Sequence, residues 1–277
     1  MKGLSVFGGL LAAFASVAFA QVPPASAPVT NAVEAPAYSG PTVYVAKIKA
    51  TYPHDTASFT QGLLWHDGAL YESTGQVGRS RVRKVDLETG TVLADQPIPA
   101  THFGEGLAVW EDNLVSLTWT DGAVHRWNIA DLSHVSSIDD FGFEGWGLTS
   151  TDEGLVFSDG TDLLRVIDPE TYDVERVVTV TIMGRPLRQL NELEYVDGLI
   201  YANIWYAPYI VAIDPADGVV KKVVDLSGII AQTDVDAHGA VLNGIAWDAD
   251  SRRLFVTGKL WPAIYEIEMT ESDARVR

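Results

Sequence analysis

Glu105 stands between two glycines in the run Phe103-Gly104-Glu105-Gly106-Leu107. Small neighbours let the backbone approach closely and leave the carboxyl unshielded, while Phe103 and tryptophans brought near it would desolvate it. A desolvated carboxyl has a raised pKa, so it can take up and return a proton near neutral pH. The acids Glu72, Glu144, Glu192 and Glu194 occupy similar positions. For each of these the plainer role is a carboxylate accepting backbone N–H groups at the rim of a site. Spacing alone does not separate Glu105 from Glu192.

A proton shuttle needs groups that hold its substrate. Gln61 and Asn191 offer amides, Lys259 an amine, and Trp119, Trp146 and Trp205 flat apolar walls. Each of these alone has an ordinary explanation, as a packing tryptophan or a solvated strand end. The repeat structure of the chain brings all seven to one opening, and that coincidence makes a pocket: apolar walls with a few convergent polar groups.

The elements that position them come from one segment repeated at intervals of roughly 40–50 residues, a period that signals a propeller or solenoid. The repeats open at Phe59-Thr60-Gln61-Gly62-Leu63, Phe103-Gly104-Glu105-Gly106-Leu107, Glu144-Gly145-Trp146-Gly147-Leu148, Leu190-Asn191-Glu192-Leu193-Glu194 and Leu242-Asn243-Gly244-Ile245-Ala246. Their varying slot holds Gln61, Glu105, Trp146, Asn191 and Asn243. Within the first repeat, Gly62–Trp65, Ala69–Ser73, Arg81–Val85 and Thr91–Ile98 read as four short strands parted by turns at His66-Asp67-Gly68 and Glu88-Thr89-Gly90. No stretch carries a 3.6-residue apolar stripe. The expectation is an all-β chain, a five-bladed β-propeller of four-stranded blades. The first strand of a blade lines the central channel and the second runs antiparallel beside it, so the start of one and the end of the other share a mouth. The last repeat is one strand short, and Thr42–Ile48 alternates as a strand should. An N-terminal strand that completes the last blade removes two open sheet edges.

Around this body, residues 1–20 have the layout of a secretory signal, 21–41 that of a Pro/Ala-rich linker, 42–270 form the propeller, and 271–277 a polar tail. A signal of this kind implies a periplasmic or secreted protein. The chain has no cysteine, so export brings no disulfides and no lipid anchor. A net charge of −18 argues against nucleic acid and against stable association with an anionic membrane; the expected state is a monomer. The six histidines show no metal-ligand spacing. No metal is expected in catalysis, although carboxylates or carbonyls along the channel leave room for a structural calcium or zinc. P-loop, dinucleotide and Gly-x-Ser-x-Gly motifs are all missing from the sequence.

Several motifs resemble the plant and bacterial (papaya-type) glutamine cyclotransferases: Phe59-Thr60-Gln61-Gly62-Leu63, Phe103-Gly104-Glu105-Gly106-Leu107, Gly145-Trp146-Gly147-Leu148, Leu190-Asn191-Glu192-Leu193-Glu194-Tyr195, Ala202-Asn203-Ile204-Trp205 and Val256-Thr257-Gly258-Lys259-Leu260-Trp261-Pro262. The likeness runs in order from about Tyr52 to Ile267, through every repeat. It implies a five-bladed propeller that converts the N-terminal glutamine of peptides and proteins to pyroglutamate with release of ammonia. It also implies Glu105 as the acid–base residue and Phe59, Gln61, Trp119, Trp146, Asn191, Trp205 and Lys259 as the pocket. Two other classes fit a propeller. A calcium-dependent lactonase-like hydrolase could draw ligands from Glu105, Asn191 and Asn243, and a non-catalytic peptide-binding propeller would need no chemistry at all.

Overall fold

Short runs rich in Val, Ile, Leu and aromatic residues, each stopped by an Asp, Asn or Gly turn, become strands almost throughout. The computed structural model describes residues 39–233, 235 and 239–276. The expected signal segment, and residues 21–38 of the expected linker, lie outside the described residues. After β1 (Thr42–Pro53), three meanders follow: β2 (Thr60–His66), β3 (Ala69–Thr74), β4 (Arg81–Val85) and β5 (Val92–Pro97); β6 (Gly104–Trp110), β7 (Asn113–Thr118), β8 (Val124–Asn128) and β9 (His134–Ile138); then β10 (Leu148–Thr151), β11 (Gly154–Ser158), β12 (Leu163–Ile167) and β13 (Val174–Thr179). A small hairpin, β14 (Thr181–Ile182) and β15 (Arg185–Pro186), leads to β16 (Leu190–Val196), β17 (Leu199–Ile204), β18 (Tyr209–Ile213) and β19 (Val220–Asp225). One helical turn, α1 (Ser227–Ile230), precedes β20 (Leu242–Asp248), β21 (Arg253–Gly258) and β22 (Ala263–Ser272).

The turn between the third and fourth strands of each meander is built alike. Asp86 accepts the Thr89 N–H on its side chain at 2.9 Å and the Gly90 N–H on its carbonyl at 2.8 Å. Asp168 does the same with Thr171 and Tyr172, and Asp214 with Ala216 and Gly218. These are Asx turns, the local reason that Asp recurs at this point of the repeat.

Burial falls from the inside of each sheet outward. The first two strands, such as β2 and β3, are almost wholly buried, whereas β5 and β9 are mostly exposed. The inner strands β2, β6, β10, β16 and β20 touch in cyclic order, and β20 returns to β2. Apolar clusters fill the spaces between neighbouring sheets around the same circle. Leu64, Val82, Leu107 and Trp127 join the first and second sheets, and Ala108, Val115, Leu148 and Leu155 the second and third. Leu63, Leu70, Ala246 and Phe255 join β20–β21 back to the first sheet. The result is an all-β, propeller-like ring around a central axis.

β1 does close the circle, and by more than the expected contact. It pairs antiparallel with β22 from Val43↔Ser272 to Pro53↔Ala263 and, in addition, parallel with β19 over Thr42–Val45. This double pairing merges β16–β19 and β20–β22 into one eight-stranded sheet. Two boundaries need correction. β1 continues five residues past Ile48, to Pro53, and β22 runs to Ser272, so the expected polar tail from 271 begins as paired strand. The cause is mutual: each long strand gives the other a ladder partner.

Three histidines that are distant in sequence meet on the outer side of the second sheet. His102 Nδ1 lies 3.1 Å from His125 Nε2, and Ser137 Oγ lies 2.7 Å from His125 Nδ1 and 2.6 Å from His134 Nε2. His125 is buried; desolvation, with smaller contributions from His102 and His134, lowers its pKa from 6.5 to about 4, while Asp139 opposes.

Two measurements follow from this frame. Deletion of Thr42–Ile48 strips a partner from both β19 and β22, so the protein should aggregate or lose its cooperative thermal transition, read by size-exclusion and circular dichroism. A soluble protein with unchanged melting would show that closure lies elsewhere. For His125 the unfolded chain, with the higher pKa, binds the proton first as pH falls. Its contribution is therefore complete above about pH 6.5 and is lost on the way down to about pH 4. Urea midpoints at pH 7 and pH 4.5 should lie closer together in His125→Gln than in the wild type; an unchanged gap would contradict this.

Candidate active site

The inner strands do not start regularly. The pairing of β2 with β3 shifts between Thr60 and Gly62, that of β6 with β7 between Gly104 and Leu107, and that of β16 with β17 between Leu190 and Leu193. Gln61, Glu105 and Asn191 are thus left out of the ladder, the last two together with the residues that follow them, Gly106 and Glu192. Such irregularities re-aim a side chain that a regular strand would send to one face of the sheet. Here they send it to the mouth of the ring.

The residue after the slot explains the glycines. A Cβ on Gly106 would lie 2.4 Å from the Leu148 N and 2.7 Å from the Trp146 carbonyl oxygen, both backbone atoms of the next repeat. The Gly106 N–H donates to that same carbonyl at 2.6 Å. Neighbouring inner strands therefore touch backbone to backbone where Glu105 leaves the strand.

All eight side chains singled out from sequence line one cavity of about 210 Å³. Glu105, Gln61, Asn191 and Lys259 supply its polar groups, and Phe59, Trp119, Trp146 and Trp205 its walls. Phe103, Tyr206 and Gly239 are the other lining residues among those described. Phe103 had been read only as a desolvating neighbour of Glu105. Tyr206 was missed; its one signal is its place beside Trp205 at a second-strand end. Two aromatic arcs result. In one, Phe103 meets Phe59 edge-on at 6.1 Å and Trp119 at 5.7 Å; in the other, Trp205 meets Trp146 at 5.3 Å and Tyr206 at 4.7 Å. The Trp146 ring lies over Gly160, where φ is +76° and a Cβ would come within 2.8 Å of the indole. Only glycine meets both demands there.

Glu105 is 5 % exposed, and Gln61 Nε2 donates to its Oε1 at 2.9 Å. Burial pushes its pKa well above the carboxylate range; Lys259 pulls it down, and Glu144 adds to the rise. Burial likewise lowers the pKa of Lys259, against the pull of Glu105. The Lys259 ammonium lies 4.9 Å from the centre of the Phe59 ring, a cation–π contact. Among the described residues, neither the Lys259 ammonium nor the Asn191 amide has a protein hydrogen bond, so both are free to bind a ligand.

The rival acids separate on geometry. Glu192 accepts the Leu63 N–H at 3.1 Å across the channel, and Glu194 accepts the Trp247 N–H at 2.8 Å, the roles expected of them. Burial raises both, Glu194 to about 8. Glu72 and Glu144 depart from expectation, since their partners are side chains. Glu72 takes His54, Ser58 and Thr60; burial opposes its ionisation, but His54 and these hydrogen bonds hold its pKa below the ordinary value. Glu144 accepts the indole N–H groups of Trp119 and Trp146. Asn243 lies one step beneath the cavity, its Nδ2 2.9 Å from the Thr60 carbonyl and 3.4 Å from Gln61 Oε1. Unlike Glu105 and Asn191, it is not among the residues that line the cavity. Among the described residues no three His, Cys, Asp or Glu side chains gather as metal ligands.

Among the described residues, an aromatic-walled cleft with one protonatable carboxyl and two unpaired donors can hold a small polar group and move a proton on it. Comparison with known proteins gives this shape a context. Residues 17–269 match the family described as glutamine cyclotransferase. A glutaminyl-peptide cyclotransferase of Arabidopsis thaliana is 40% identical over 232 residues, 83% of this chain and 72% of the relative. The crystal structure of the Myxococcus xanthus glutaminyl cyclase superposes with a TM-score of 0.80 at 38% identity, covering 84% of this chain and 100% of that one.

Gly106→Ala tests the backbone contact that aims Glu105. The added methyl should force the second and third repeats apart and cost about 1–3 kcal/mol by denaturant titration. Gly228→Ala, with nothing within 4 Å of its Cβ, is the matched control. Equal stability of the two variants would refute the close-contact account.

Proposed function

The chain belongs to the glutamine cyclotransferase family, and on that premise we propose how its pocket carries out the glutaminyl-peptide cyclotransferase reaction, with Glu105 as the proton shuttle. The observation that carries this reading is a single carboxyl, buried and raised in pKa, at the polar end of an aromatic slot.

In the reaction the neutral α-amine of an N-terminal glutamine attacks that residue's own γ-carbonyl carbon. A C–N bond forms, the carbonyl gains negative charge on oxygen, and collapse breaks the bond to the side-chain nitrogen, which leaves as ammonia. Nucleophile and electrophile are already tethered, so the main task is to hold a cyclising rotamer. The walls of Trp119, Trp146 and Trp205, with Phe59, do this and keep out water that would hydrolyse the amide. Gln61 occupies Oε1 of Glu105 and leaves Oε2 without a hydrogen-bond partner among the described residues. That oxygen takes the proton from the attacking nitrogen and returns it to the departing one. Lys259 and Asn191, unpaired among the described residues, bind the γ-carbonyl oxygen as charge builds. None of these steps calls on a metal.

The architecture is read as a five-bladed propeller: the three four-stranded sheets are blades, and the eight-stranded sheet is two blades joined where β1 meets β19. The support is the cyclic contact of β2, β6, β10, β16 and β20. The N-terminal segment is read as an export signal, on its charge and apolar pattern.

The test is ammonia release from a Gln-initiated peptide, followed with and without a chelator. Turnover should survive chelation, and zinc-dependent activity would defeat the metal-free mechanism. Glu105→Gln is nearly isosteric but cannot exchange a proton at neutral pH, so kcat should fall roughly 10²–10⁴-fold with peptide binding kept. Glu192→Gln should cost far less. The reverse order, in folded variants, would move the shuttle to Glu192.

A further inference from the structure

Glu144 lies just before β10, outside the cavity lining, and is exposed. Its backbone is nonetheless fixed. The next residue, Gly145, donates its N–H to the carbonyls of Thr118 and Trp119, each at 3.2 Å, and a Cβ there would lie 2.8 Å from Leu117 Cβ. The segment is thus pressed against the end of β7, beside Trp119. From there one carboxylate oxygen, Oε1, accepts the indole N–H of Trp146 at 3.1 Å and also that of Trp119. Trp119 ends the arc Phe59–Phe103–Trp119, and Trp146 begins the arc Trp146–Trp205–Tyr206. Among the described residues, Glu144 is the only side chain hydrogen-bonded to both.

We propose that Glu144 is a positioning residue for the cyclisation: its carboxylate ties the two indoles together and so fixes the walls between which the N-terminal glutamine lies. The proposal rests on the assignment of this cavity as the cyclisation site. An indole has one donor, at one edge of its ring. Anchoring that edge turns the ring's face in a set direction, and Trp119, which is 41% exposed, has little else around it to do so. Hydrogen bonds to an ionised acceptor are the stronger kind. A fixed wall binds substrate and transition state alike, so its loss raises KM more than it lowers kcat. The carboxylate has a second effect through space, because its negative charge disfavours ionisation of Glu105. Among the described residues, the charges acting on Glu105 are Lys259 and Glu144. Asp121, Asp139 and Asp140 share the groove beside Glu144 and stay in place in any variant at this position.

Two variants separate the hydrogen-bonding role from the charge. Glu144→Ala removes both; Glu144→Gln keeps an amide oxygen that can accept the indole N–H groups but carries no charge. For a Gln-initiated peptide, Glu144→Ala should raise KM roughly 10-fold with a much smaller change in kcat. Its near-ultraviolet circular dichroism should lose fine structure in the tryptophan bands while melting stays close to wild type. Glu144→Gln should recover most of the KM and of the spectrum. In both variants the limb of the kcat/KM pH profile that reports Glu105 should move to lower pH, because the charge that raised its pKa is gone. Wild-type KM and spectrum in Glu144→Ala would overturn the proposal. So would a Glu144→Gln as impaired as Glu144→Ala in both readouts, since charge alone would then account for the effect. A wild-type protein that released no ammonia would count against the assignment of the site, and the spectra would still decide whether Glu144 ties the indoles.

Discussion

The inner strands of this ring approach one another more closely than side chains allow. Gly106 faces the backbone of Trp146, Gly147 and Leu148, and Gly147 in turn faces Asn191 and Glu192. That contact leaves no room for a Cβ at the inner position, so the preceding residue must carry its side chain away from the axis toward the mouth. At Gln61 and Glu105 irregular strand pairing and outward aim accompany this contact. In the fourth repeat the glycine is replaced by Glu192, whose carboxylate spans the channel to the Leu63 N–H. Position within the repeat therefore assigns opposite fates to two neighbouring acids: Glu105 is sent to the cavity, Glu192 to the axis.

Electrostatics then depend on depth. Glu105 and Lys259 are both buried, and each loses part of its preference for charge to desolvation. No ion pair forms between them, and their mutual attraction falls short of the desolvation penalty at the carboxyl. A closed salt bridge would have held Glu105 ionised and occupied Lys259. The separation leaves a carboxyl able both to take up and to release a proton and an ammonium unspent, at some cost to stability, as is usual where catalytic groups are assembled. Glu72 shows the alternative: with His54, Ser58 and Thr60 around it, an equally buried carboxyl stays ionised.

Much of this was legible in the residues. The repeats marked the four-stranded meanders, and the slot rule brought Gln61, Glu105, Trp146 and Asn191 to one opening, because a strand's start and its neighbour's end share a mouth whatever the details. Asn243 obeyed the same rule but sits beneath the cavity, its amide turned to the Thr60 carbonyl and Gln61. A hydrogen-bond preference of that kind leaves no trace in spacing. The partners of Glu144 and Glu72 were hidden for a related reason, since they arise from loops whose path depends on packing. The meeting of His102, His125 and His134 joins separate segments across a twisted sheet, which no local spacing reports. The parallel pairing of β1 with β19 was equally invisible, because an alternating strand can add to either free edge.

That doubly paired strand also sets the order in which the molecule can be completed. β1 is made first, and its antiparallel partner β22 is made last, with Val43 opposite Ser272. Contacts between such distant parts of a chain form slowly, because nearly the whole chain must be confined before they yield any energy. The three central meanders need only their own residues and can form as each emerges. The seam cannot: β1 has no ladder partner until β19 is made, and its other edge stays open until β22 arrives. The final act of folding is thus a zippering of the two chain ends into one sheet, and the interval before it is when the protein is most exposed to pairing with a second copy of itself.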